Sequence, residues 1–104
     1  MRDRSFEKWL KHKDRQEDKA HAELLRALGK SVHVSEEVAL RKFERGVPII
    51  DRQREEEMLR KAKAQAKRAK LDGRTAVESI EFVLQVSKEA QRKRLYRLRA
   101  RKWF

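Results

Sequence analysis

The sequence predicts an all-α protein of three to four helices, extended rather than compact globular. Apolar residues recur at helical spacing, i, i+3 and i+4. The strong breakers are few, Gly29, Gly46-Pro48 and Gly73, and each falls between helix candidates. Capping residues stand just ahead of the apolar runs.

The first helix is expected at about 5–28. Ser5 is its candidate N-cap, and Phe6, Trp9 and Leu10 share one face. Ala20, Leu24, Leu25 and Leu28 form a second patch. The stretch between them is polar all round, so the helix reads as a rod with an anchor at each end. A short second helix is expected at about 35–45, with Ser35 as N-cap and Val38, Leu40 and Phe43 as its apolar side. Val47-Pro48-Ile49-Ile50 then follows as an extended apolar linker held open by the proline. Asp51 caps a third helix at about 51–71. Its acids lie early and its bases late, as the helix dipole favours. Its apolar stripe is mostly alanine. The fourth helix, about 75–102, opens on the capping box Thr75-Ala76-Val77-Glu78. Val77, Ile80, Leu84 and Ser87 follow one face of it. Ile80, Phe82, Leu84 and Val86 also alternate as a strand would, but the cap and the charged continuation favour helix. All four segments form one extended helical unit over residues 1–104.

Leu, Ile, Val and Phe fill only 24 of the 104 positions, while 44% of residues are charged. So little apolar surface barely offsets the entropy of ordering the chain. The expectation is a chain that completes its folding against a partner. With 29 Lys and Arg against 17 Asp and Glu, the net charge is +12, which attracts polyanions. No Cys is present, so disulfides and thiolate metal sites are excluded. No apolar run approaches the ~20 residues of a membrane span, and the N-terminus lacks a signal-peptide core. The setting expected is intracellular.

Motifs of catalysis are missing. The glycines are isolated, which rules out a phosphate loop, and no serine sits in a nucleophile elbow. His12, His21 and His33 make no zinc pattern, and interleaved Lys and Arg account for the carboxylates as local ion pairs. A cleft for a small molecule looks beyond a chain of this size. These observations predict no enzyme, no cofactor, no metal and no small-molecule substrate.

Two basic runs stand out instead. One comprises Arg60, Lys61, Lys63, Lys67, Arg68 and Lys70; the other Arg92, Lys93, Arg94, Arg97, Arg99, Arg101 and Lys102. Neither contains an acid, and both are candidate polyanion-binding surfaces. Phe6, Trp9, Leu10, Phe43, Ile49, Ile50, Phe82, Tyr96, Trp103 and Phe104 are the candidate partner anchors, since buried aromatics dominate interfaces.

The block Phe6-Glu7-Lys8-Trp9-Leu10-Lys11-His12-Lys13 resembles one found in basic coiled-coil proteins of cilia, centrosomes and microtubules. The resemblance implies a helical structural or adaptor subunit lying on an acidic protein surface such as tubulin, or within an axoneme. It favours the cytoplasm and cytoskeleton. Two alternatives follow from the charge alone: an RNA-binding, ribosome-associated protein and a nuclear DNA-binding helical module.

Overall fold

The computed structural model describes residues 3–102, with side chains described as far as Arg99. It contains three helices: α1 (Arg4–Glu44), α2 (Arg52–Gln65) and α3 (Gly73–Lys102). No strand occurs among the described residues, so the all-α expectation holds and the alternating run at 80–86 is helical. The chain divides into two compact units, Met1–Lys30 and Ser31–Phe104.

In the first unit the N-cap is Asp3, not Ser5. Its Oδ1 accepts hydrogen bonds from the backbone N–H of Ser5 (3.0 Å) and of Phe6 (3.2 Å). Phe6 and Trp9 stack with ring centroids 5.8 Å apart, and the Lys13 ammonium lies 5.9 Å from the Trp9 ring. Leu24 and Leu25 are exposed.

α1 does not break at Gly29. One glycine in a helix interior costs about 1 kcal/mol, which neighbouring helix formers absorb. Ser35 is therefore mid-helix rather than a cap. The break comes at Gly46, whose φ of 68° is the left-handed conformation that a helix terminus asks of its C′ residue. Val47 N–H donates to the Lys42 carbonyl and Gly46 N–H to the Phe43 carbonyl, closing a Schellman motif.

Asp51 caps α2 as expected, accepting from the Arg54 N–H at 3.1 Å. Beyond Gln65 the chain continues in hydrogen-bonded turns, and Lys70 takes the left-handed position with φ 56°. The cap of α3 is Asp72 rather than Thr75. It accepts from both the N–H and the hydroxyl of Thr75, each at 2.8 Å. Those bonds, the backbone one foremost, hold the Asp72 carboxyl below the usual aspartate range. Gly73 thus opens α3 instead of closing α2.

α2 packs along α3. Among the described residues the buried ones are Ala39, Ala62, Ala66, Ala76 and Ser87, and no large side chain is fully buried. Alanine lets two helices approach closely but removes little apolar area from water. The core is as thin as the composition predicts.

Candidate active site

One end of the α2–α3 pair is polar. There the last turns of α1, the segment 45–51, the first turn of α2 and the middle of α3 meet. Three contacts define the meeting point, two of them far apart in sequence. The Gln91 side-chain amide donates to the Ser35 carbonyl on α1 at 2.9 Å. The Lys42 ammonium reaches the Ile49 carbonyl at 3.5 Å. Lys88 on α3 forms an ion pair with Glu55 on α2.

Ser87 lies beside them, one turn before Gln91. It is 4% exposed, and its hydroxyl finds no hydrogen-bond partner. A buried hydroxyl left unpaired costs roughly 1–3 kcal/mol. Such groups in folded proteins are met by an ordered water, an ion or a ligand, or serve a functional role. The sequence carried a signal for it: Ser87 is the polar member of the face that otherwise reads Val77, Ile80, Leu84.

An open groove of 650 Å³ runs past Gln91 along α3. Ile49, Ile50, Leu95 and Tyr96 form its apolar walls. Lys88, Arg92 and Arg99 are its cations, against the single acid Glu89. Outside the lining, Lys42 on α1 reaches the Ile49 carbonyl, and Arg54 on α2 pairs with Glu57 at 3.5 Å. The result is a half-apolar cleft with excess positive charge and neutral hydrogen-bonding groups at its inner edge. It has no histidine and no carboxylate pair, so it is not built for nucleophilic or acid–base work. It can hold a small anion and fix its conformation.

The structure sorts the sequence-derived candidates unevenly. Ile49, Ile50, Arg92, Tyr96 and Arg99 come together in the groove. Lys93 is engaged with Glu89 at 3.7 Å, Arg94 is half-buried, and Arg97 is exposed. In the first run Lys61 pairs with Glu57 at 2.9 Å, which lowers the Glu57 carboxyl below its ordinary value. Arg60, Lys63, Lys67, Arg68 and Lys70 are exposed away from the groove. Phe6, Trp9 and Leu10 belong to the first unit, Phe43 is half-buried, and Phe82 is exposed rather than packed. Trp103 and Phe104, and the side chains of Arg101 and Lys102, lie outside the described residues. Sequence reasoning missed Lys42, Glu55, Ser87, Lys88 and Gln91 as a site. Each looks like an ordinary helix-surface residue until α1, α2 and α3 are brought together.

Fold and cleft together give an all-helical protein with a half-apolar groove of excess positive charge. Residues 15–92 match the family model described as chorismate mutase type II. That span is three quarters of the chain, and the chain belongs to the chorismate mutase type II family. No curated protein and no solved structure matches it.

Membership overturns several expectations. The family is one of enzymes acting on a small molecule, so the expectations of no enzyme and no small-molecule substrate, the structural or adaptor reading, the resemblance to ciliary and microtubule proteins, and the tubulin, RNA and DNA partners all fall. Two features hid this: the sequence lacks nucleophile, acid-pair and metal patterns, none of which a mutase needs, and its positive charge suits a polyanion as well as a small anion. No helix among the described residues is long and apolar enough to cross a membrane.

Proposed function

We propose that this chain catalyses the rearrangement of chorismate. The observation that carries this reading is the family match, whose span contains Ser35, Lys42, Arg54, Glu55, Ser87, Lys88, Gln91 and Arg92. The chemistry agrees with the site. Chorismate is a ring bearing two carboxylates and an ether bridge. A mutase shifts a bond within one molecule: a carbon–oxygen bond breaks as a carbon–carbon bond forms, and no atom enters or leaves. Such a reaction needs no base and no nucleophile. It needs the substrate held in a reactive conformer and the charge that develops at the ether oxygen met by fixed donors.

Lys42, Arg54 and Arg92 are assigned to the carboxylates, since cations grip such groups through charge-assisted hydrogen bonds. The Ser87 hydroxyl and the second N–H of the Gln91 amide are assigned to the ether oxygen. The bond from Gln91 to the Ser35 carbonyl locks that amide in place before substrate arrives. Ile49, Ile50 and Leu95 exclude water from the ring. The reading keeps a cytoplasmic setting and drops the cilium, nucleus and ribosome.

The test is loss of the ultraviolet absorbance of chorismate on incubation with the purified chain. Wild type accelerates the loss over buffer. Lys42→Met and Gln91→Ala each lower kcat/KM by about a hundredfold, the usual scale for removing one preorganised donor or cation. A folded wild-type chain that leaves the rate at the buffer value contradicts the reading.

A further inference from the structure

The groove is longer than one small ligand. Its floor is a single stripe of α3, in which Gln85, Lys88, Arg92, Leu95, Tyr96 and Arg99 follow at i, i+3 and i+4 spacing. At 1.5 Å of rise per residue, Gln85 and Arg99 stand about 21 Å apart along the helix, and Gln91 and Arg99 about 12 Å. A single ring anchored at Gln91 occupies only part of that length. The outer end carries its own binding groups. Tyr96 is 74% exposed, so its ring face is open, and Arg99 is exposed beside it. Among the described residues neither has a hydrogen bond, an ion pair or a ring contact. The other charges of the groove are engaged: Lys88 pairs with Glu55, Glu89 pairs with Lys93, and Arg92 is assigned to chorismate. Arg99 is the groove cation left without a task. It follows Tyr96 at i+3, so ring and guanidinium border the same space, with the apolar Leu95 and Ile50 in the same lining.

We propose that the outer end of the groove is a second subsite, which binds a small aromatic monocarboxylate with its ring on Tyr96 and its carboxylate on Arg99, and that this ligand competes with chorismate. Each part of the ligand answers a group of the groove. A guanidinium with no acid beside it grips a carboxylate through paired charge-assisted hydrogen bonds. An open phenol ring next to aliphatic walls takes another flat ring, by stacking and by removal of apolar area from water. A bare inorganic anion would leave those walls wet, and a neutral ring would leave Arg99 unmet. Competition follows because Arg92 and Leu95 lie between the two subsites and border both. The subsite stands on the groove alone; the competition rests on the chorismate reading.

The experiment titrates phenylacetate into the labelled full chain and follows backbone amide shifts. Saturable shifts are expected at Leu95, Tyr96 and Arg99. Phenylacetamide, which lacks the charge, binds about tenfold more weakly, and cyclohexylacetate, which lacks the flat ring, about threefold. Arg99→Gln weakens phenylacetate by about tenfold and Tyr96→Leu by about threefold. Both variants keep wild-type chorismate kinetics when phenylacetate is absent. In turnover assays, saturating phenylacetate raises the KM of the wild-type chain for chorismate several-fold and leaves kcat unchanged, and both variants blunt that rise. Circular dichroism shows whether each variant is folded, and the two analogues test the wild-type chain if one is not. The subsite is overturned by an absence of saturable shifts, by shifts confined to Ser87 and Gln91, or by an affinity that neither the analogues nor the variants move. Binding at the outer end with KM unmoved overturns the competition. A folded wild-type chain that leaves chorismate intact but still shows the outer shifts removes the function reading and keeps the subsite.

Discussion

The two ends of the α2–α3 pair are built for different purposes. At the end where the turn 66–72 joins the helices, the buried side chains are Ala62, Ala66 and Ala76. They carry no polar atom and need no partner. At the other end the buried or half-buried side chains are Glu55, Ser87 and Gln91, with Lys42 close by and Lys88 spanning the helices. One end is packed, the other is furnished. A chain with so thin a core has few buried positions to use, and it assigns a polar hydroxyl to one of them. Packing alone does not call for that choice.

The comparison breaks most severely at the alanine end. Ala66→Leu forces three more carbons between two closely packed helices, and overpacking of this kind costs about 1–3 kcal/mol. Thermal melting by circular dichroism reads it as a lower Tm, with chorismate turnover by the still-folded fraction unchanged. At the polar end the signs reverse. Ser87→Ala removes an unpaired buried hydroxyl and raises stability by up to roughly 1 kcal/mol, while kcat falls. A Ser87→Ala chain that is both less stable and fully active would show that the hydroxyl is structural.

How much of this was legible in the sequence follows from the same contrast. Helical periodicity, the cap at Asp51 and the stop at Gly46 are local signals, and they survive in the structure. Gly29 misled because a lone glycine is a weak breaker inside a helix with good neighbours. Thr75 misled because Asp72, three residues earlier, offers two oxygens to the same helix end. The site was hidden for a different reason. Lys42, Glu55, Ser87 and Gln91 come from three helices and acquire meaning only when those helices pack. Ser87 alone left a trace, as the polar interruption of an apolar face.

The smallest effect expected is at the α3 cap. Asp72 has its carboxyl held below the ordinary aspartate range by the Thr75 bonds. A depressed folded-state pKa adds stability that is present above the unfolded value and is lost as pH falls through the folded one. Asp72→Asn therefore flattens the acid limb of the stability profile below the ordinary aspartate range and leaves neutral-pH turnover intact. Melting temperatures taken across the acid range check it, and an unchanged acid limb would show that the cap does not contribute.

Backbone amide shifts of the labelled chain, recorded as chorismate is titrated in, test the central claim most directly. The account predicts saturable changes at Lys42, Glu55, Ser87, Lys88 and Gln91, with Ala62, Ala66 and Ala76 left in place. Shifts concentrated at the alanine end, or none at any concentration of chorismate, would contradict it.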